Sequence, residues 1–416
     1  MKKLYVLFLA IVLTFVFAVP VFALENIFGG YWRTRAYTEK DYSGDSSKAQ
    51  DIQQVDTRTR LFYTAKFNDN FKFVNKFEMD AVWGGDPDGY GDIGADGIKF
   101  EVKNSYADFT LGQVNLKIGT QGIVLNRGFL FDDDFSGAVV TYNMSKDIAI
   151  PFIWIKTYEG GMGDDMDDED VDFYAINPSI KAGGATIAPL FMWTASEDSV
   201  GYTDNADYDK WNVYYFGGDV DLKAGPADVW FTGLYEFGTI EGFGGNDDLD
   251  VSAYLLAAGF SADVEALNVH GQAFYVSGDE DGGDDGDIEA FFVPAGQSYD
   301  WAAIMGGNGI FDNQNSAGSP GATPSNVMAV QLGATVKPMP KLSLTGDLWW
   351  AQLVEDNANG DSDLGTEIDI TATYSIMDNL NLDVVAAYLM AGDATSSDGN
   401  NTDDPMLLGT RISLSF

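Results

Sequence analysis

The chain has no cysteine, a single histidine and only six arginines among its 416 residues. Without cysteine there is no disulfide, no thiolate metal ligand and no covalent haem attachment. The lone histidine, His270, removes most metal and imidazole chemistry, which needs further ligands or a base placed beside a nucleophile. Past the first two dozen residues no apolar run approaches the roughly 18 residues of a membrane-crossing helix. In a bilayer such a chain must form a closed barrel, because only helices and closed barrels satisfy every backbone polar group in hydrocarbon. Positive charge is scarce too: 23 Lys and Arg stand against 64 Asp and Glu, a formal net charge of -41. That surplus argues against nucleic acid or any anionic surface as a direct partner. Acidic chains can be disordered, but 28 Phe, 20 Tyr and 9 Trp point to a folded chain whose aromatics and acids are separated in space.

At the N-terminus Lys2 and Lys3 precede an apolar run from Leu4 to Phe22, and Val21-Phe22-Ala23 suits cleavage. This predicts a secretory signal peptide over 1–23 and a single domain over 24–416; an uncleaved anchor is the alternative. At the C-terminus Met406, Leu408, Thr410, Ile412, Leu414 and Phe416 alternate with Leu407, Gly409, Arg411, Ser413 and Ser415. One face suits lipid and the other water, as in a strand closing a transmembrane barrel; an edge strand of a soluble sheet is the alternative.

Between the ends, period-two segments are separated by connections that alternate between long and short. Nine long and eight short connections predict an all-β, antiparallel, up-and-down barrel of about 18 strands, with 16 as the alternative. The long connections include 122–134, 241–249 and 278–325. The apolar face of each strand is assigned to lipid, and Tyr31, Trp32, Trp83, Trp154, Tyr158, Trp193, Trp211, Trp230, Trp349 and Trp350 to interfacial girdles.

Parity sends the arginines inward. Arg33 and Arg35 share the water face of the first strand, Arg58 and Arg60 that of the second. Lys72, Lys76, Lys99, Lys103 and Lys117 continue the row, with Glu78, Asp80 and Glu101 interspersed. Closing the barrel brings Arg411 beside Arg33 and Arg35, so a basic wall is predicted along one side of the lumen. The connection carrying Arg127, Asp132, Asp133 and Asp134 holds the position of the inward-folded constriction loop of general porins. Folded inward, its acids would face the basic wall and set a transverse field; the alternative is mutual charge pairing that only stabilises a wet interior. The long connection 278–325 contains EAFFVPAGQSYDWAAIMGGNGIF, too apolar for a solvated excursion, and is read as a lid or partial plug, with a subunit interface or loop cover as alternatives. Acids crowd the other long connections, including Asp164, Asp165, Asp167, Asp168 and Asp170. Solvated loops are the first reading and a Ca2+ or Mg2+ site the second. No other cofactor is expected.

LGTEIDITATYSIMDNLNLDVVAAYLMAGD (Leu364 to Asp393) resembles the penultimate hairpin of the alginate-export family of Gram-negative outer-membrane proteins. FTLGQVNLKIGTQGIVLNRG (Phe109 to Gly128) resembles a glycine-punctuated hairpin shared by that family and many porins. The resemblance implies an 18-stranded outer-membrane barrel with a channel role, and the terminal Phe416 resembles the signal read by the barrel-assembly machinery. A porin for ions and small hydrophilic solutes is the leading functional reading. A dedicated channel for one solute or an exported polysaccharide is second, and a structural or adhesive barrel third. Catalysis is not expected, since His270 lies with Asn268 and Gln272 on the water face. Outer-membrane lipid and lipopolysaccharide are the expected surroundings, with a homotrimer and a monomer both open.

Overall fold

The computed structural model describes residues 24–45, 47–48, 51–85, 99–159, 170–197, 210–243, 247–280, 286–307, 309–311, 314–397, 399 and 403–416. Residues 1–23, and with them the signal peptide, lie outside this set, as do Asp164, Asp165, Asp167 and Asp168.

Eighteen antiparallel strands close into one barrel. They are β1 (Glu25–Lys40), β2 (Ile52–Asn68), β3 (Phe71–Val82), β4 (Lys99–Leu111), β5 (Val114–Leu125), β6 (Phe131–Asn143) and β7 (Ile148–Tyr158), followed by β8 (Val171–Ile176 resumed as Ser179–Ala182) and β9 (Ala185–Glu197). Then come β10 (Lys210–Ala224), β11 (Ala227–Phe243), β12 (Asp247–Val264), β13 (Leu267–Val276), β14 (Val327–Met339), β15 (Leu342–Leu353), β16 (Asp363–Met377), β17 (Leu380–Ala391) and β18 (Met406–Ser415). Each strand pairs with its sequence neighbours, and β18 pairs with β1 from Tyr31↔Ser415 to Lys40↔Met406, so no edge is left. Phe416 extends this seam by exchanging backbone hydrogen bonds with Gly30, at 2.7 and 3.1 Å. The break in β8 falls at Asn177-Pro178, where proline lacks the N–H a ladder needs.

Outward positions are apolar and exposed around the whole circumference, among them Phe28, Leu61, Phe100, Ile118, Phe152, Phe216, Leu256, Leu332, Ile370 and Leu408. A continuous belt of that kind is the surface of a membrane-spanning barrel. The terminal strand follows the sequence reading, with Met406, Leu408, Ile412 and Phe416 outward and Leu407 buried within.

Two connections read as long are short. β5 runs on to Leu125 and β6 begins at Phe131, leaving 126–130; β11 and β12 likewise approach to leave 244–246. Polar residues in those segments sit within hairpins rather than loops, a pattern that composition alone reads as loop.

The aromatic residues expected in interfacial girdles divide between the two faces of the wall. Trp32, Trp83, Trp154, Trp193 and Trp350 occupy outward register positions, but Tyr31, Trp211, Trp230 and Trp349 share the inward rows. Trp349 and Trp211 are buried. The physical reason is that this barrel has an apolar interior to receive them. The connection between β13 and β14 turns inward and packs Phe291, Ala302, Ile304, Met305 and Phe311 out of solvent against the wall. Trp301 meets Trp349 edge to face, with centroids 5.6 Å apart, and Phe292 meets Trp211 at 5.6 Å.

Candidate functional site: a charged passage inside the barrel

The site begins with a change of direction in two strands. β4 and β5 pair only up to Ser105↔Thr120, and β6 pairs with β7 only from Ser136↔Lys156 onward. β5 and β6 nevertheless stay paired with each other to Leu125↔Phe131. Residues 121–135 therefore form a hairpin tip released from both neighbours, and it leans across the lumen. Its turn places Asn126 and Arg127 at φ of 49° and 63°, a left-handed conformation uncommon outside glycine.

Side chains anchor the tip to the far wall. Arg127 Nη2 donates to Asp221 on β10 at 2.6 Å, Arg127 Nε to Thr232 on β11 at 3.2 Å, and Asn126 Nδ2 to Asp219 at 3.2 Å. The Arg127 guanidinium also lies over the Trp230 ring, 4.6 Å from its centre. Arg127 thus belongs to an anchor on the opposite wall, away from the three acids that follow it in sequence.

The inturned β13–β14 connection locks against the tip from the other side. Asp132 N donates to the Gly296 carbonyl at 2.7 Å, Ser298 N to that of Gly128 at 3.1 Å, and Gln297 Nε2 to that of Phe129 at 3.0 Å. Phe129 stacks on Tyr299 with centroids 3.6 Å apart. Burial pushes the Tyr299 phenol up, so its hydroxyl remains a donor to Gln272. Wall carboxylates hold the connection by its backbone: Glu367 accepts from Ile304 N and Met305 N at 2.6 and 2.9 Å, and Glu236 from Phe292 N at 3.0 Å.

These two inward segments leave a polar cavity of about 620 Å³ against β2, β3 and β4. On the wall side stand Arg58, Arg60, Lys76, Glu78, Asp80, Glu101 and Lys103; on the hairpin side stand Asp132, Asp133 and Asp134. Arg58 forks onto Asp80, with Nε–Oδ1 at 2.8 Å and Nη2–Oδ2 at 2.6 Å, and Arg60 pairs with Glu78. Asp134 bridges the two sides, accepting from Lys103 Nζ at 3.1 Å and Asn104 Nδ2 at 2.9 Å. Consecutive residues of β4 reach the same carboxylate because a bulge there skips Lys103 in the pairing with β3. Among the described residues Lys76, Glu101, Asp132 and Asp133 form no ion pair within 4 Å. Four cationic side chains and six carboxylates line the cavity, so its formal balance is acidic.

The rest of the basic row is built differently from the sequence expectation. Arg411 does fall directly opposite Arg35 across the closing seam. The same register row continues to Asp383 on β17 and Asp56 on β2, so two acids flank the two arginines. Arg411 donates to Asp383 at 2.9 Å, and Arg35 forks onto Asp56 at 2.9 and 2.8 Å. Arg35 Nη1 also donates to the Phe311 carbonyl of the inturned connection. Arg33, buried, sits opposite Arg58. Lys72 pairs with Asp108 at 3.2 Å, and Lys117 lies opposite that same aspartate. The Lys99 side chain lies outside what is described. The wall thus mixes both signs, with paired arginines flanked by carboxylates. Parity assigns each side chain a face, but register decides its neighbours, and register brings Asp56, Asp80, Asp108 and Asp383 into the arginine and lysine rows.

His270 Nε2 meets Asp347 Oδ1 at 2.8 Å and its Nδ1 meets Asn268 Oδ1 at 3.3 Å, so neither ring nitrogen faces a hydroxyl nucleophile. Asp170, the described member of the acidic run, pairs with Lys156.

No family model matches this chain, and no curated protein matches it. Solved structures do. Pseudomonas aeruginosa OccK11 (OpdR) superposes with a TM-score of 0.59 at 11% identity, covering 94% of this chain and 96% of that one. Acinetobacter baumannii OccAB4 gives 0.61 at 9% identity, covering 94% and 98%. P. aeruginosa OpdK, solved with vanillate, gives 0.58 at 13% identity over the same shares. At these identities the likeness is one of fold.

Proposed function

We propose that this protein is an outer-membrane porin, a narrow channel for ions and small hydrophilic solutes whose passage is the charged cavity between the β5–β6 hairpin and the β2–β4 wall. The observation that carries the reading is the pairing of an apolar outer belt with a polar interior gap lined by opposed charges. Apolar belts fit a lipid bilayer, and a charged gap of this kind holds water and sorts solutes by size and charge. With more carboxylates than cations, the passage favours cations. Fixed ion pairs, Arg58–Asp80, Arg60–Glu78 and Lys103–Asp134, contribute dipoles rather than net charge, which leaves Asp132, Asp133 and Glu101 against Lys76 to set the sign.

A dedicated channel is the second reading, favoured by the inturned connection, which fills much of the lumen and leaves a small opening. OpdK was solved with vanillate, an anion; the acidic surplus here points this chain toward a different permeant.

Replacing Asp132 and Asp133 together by Asn tests the assignment in planar bilayers under a salt gradient. The reversal potential is expected to move toward the anion side with the conductance retained. An unchanged reversal potential would place the selective passage elsewhere, and a saturable block by one solute would favour the dedicated channel.

A further inference from the structure

On the wall opposite the charged passage, under the inturned connection, lies a second chamber of about 370 Å³. Two adjacent register rows build it. One runs Gly259–Gln272–Gln331–Trp349–Glu367 across β12 to β16, and the next, toward the short turns, runs Ser261–His270–Gly333–Asp347–Asp369. Trp301 closes it from the inturned connection and Trp230 from β11.

Three features make this a constructed chamber rather than a packing gap. Three indoles border it, and Trp301 and Trp349 stand at 72° to each other, so their faces meet at a corner. Two positions in these rows have no room for a side chain. A methyl group at Gly259 would overlap the Trp230 indole, and one at Gly333 would overlap Asp347 Oδ1. Gly333 lies between His270 and Asp347 in the row, and its lack of a side chain lets them bond across the intervening strand. Lastly, the chamber carries Asp347 and Asp369 with no Lys or Arg among its lining residues.

The free bonding capacity decides what such a chamber takes. Three of its donors are engaged: His270 Nε2 and Gln331 Nε2 both point to Asp347, and Trp301 Nε1 donates to the Gly321 carbonyl at 2.9 Å. An anion needs cations, and no Lys or Arg lines the chamber. Carboxylates and indole faces together suit a positive charge on a small organic body, since a ring face attracts a cation within about 6 Å. Trp230 already receives the Arg127 guanidinium in this way, and that charge is matched by Asp221.

We propose that this chamber is a binding site for a small organic ammonium ion. The proposal deepens the channel reading by naming a permeant class, but the binding itself does not depend on conduction. Calorimetric titration of the folded protein in detergent micelles with choline chloride tests it, with glucose and sodium benzoate as comparison probes. Saturable choline binding is expected, with at least tenfold weaker binding for Asp347→Asn and for Trp230→Leu and no uptake of either comparison probe. Heat-modifiable gel migration reports whether each variant has folded; should one fail, the other decides. Absence of choline binding, equal binding of glucose or benzoate, or binding insensitive to the folded variants would overturn the proposal. KCl conductance of the same preparation reports separately on the channel reading.

Discussion

Arg35 ties three parts of the molecule together: the closing seam opposite Arg411, the β2 carboxylate Asp56, and the carbonyl of Phe311 on the inturned connection. It is 6% exposed and Asp56 equally so. Removing the guanidinium would leave a buried carboxylate whose remaining contact is Gln54 at 3.1 Å. Arg35→Met is therefore expected to destabilise the barrel by about 3–5 kcal/mol, read from urea unfolding in lipid vesicles. A loss below about 1 kcal/mol would contradict this role. Arg35→Lys is expected to recover only part of the loss, because an ammonium cannot fork onto Asp56 while also reaching Phe311. At this scale the sequence was half legible. Alternation and closure place Arg411 beside Arg35, but only the register shows that Asp383 and Asp56 flank them.

Among the elements, the β5–β6 hairpin and the β13–β14 connection depart most from an ordinary strand and an ordinary loop. The hairpin leaves the wall because neither β4 nor β7 pairs with its tip, and the connection enters because the wall offers it buried carboxylates and indoles. The apolar stretch in 278–325 was a readable sign that this segment packs against something. Its destination was not readable, because an inward tryptophan and an outward one look alike in a period-two pattern. Trp211, Trp230 and Trp349 consequently read as interfacial, although Phe292 and Trp301 of the inturned connection pack on Trp211 and Trp349, and Arg127 of the hairpin lies over Trp230. Deleting Asp287–Ser319 is expected to raise single-channel conductance several-fold, since the segment occupies lumen and little else in the structure could replace it. Unchanged conductance would mean that ions pass by a route the connection does not touch.

For the whole molecule, eighteen strands, short turns on one side and a closed seam were all legible, because a period of two, turn residues and parity are local signals. The sign of the interior was not, since it is a sum over side chains brought together by closure. The row expected to be basic carries Glu78, Asp80 and Glu101 within it and faces Asp132, Asp133 and Asp134, so the described cavity holds four cationic side chains and six carboxylates. A strongly acidic chain with an acidic passage should concentrate cations at its constriction, an effect that weakens with salt as the Debye length falls from about 10 Å at 0.1 M to about 3 Å at 1 M. Cation preference is thus expected to be largest in dilute electrolyte. The most direct test is a single-channel recording of the purified protein in a planar bilayer under a KCl gradient. Discrete, small conductance steps and a reversal potential displaced toward that of potassium are expected; no conductance, or a reversal potential displaced toward that of chloride, would contradict a cation-selective passage.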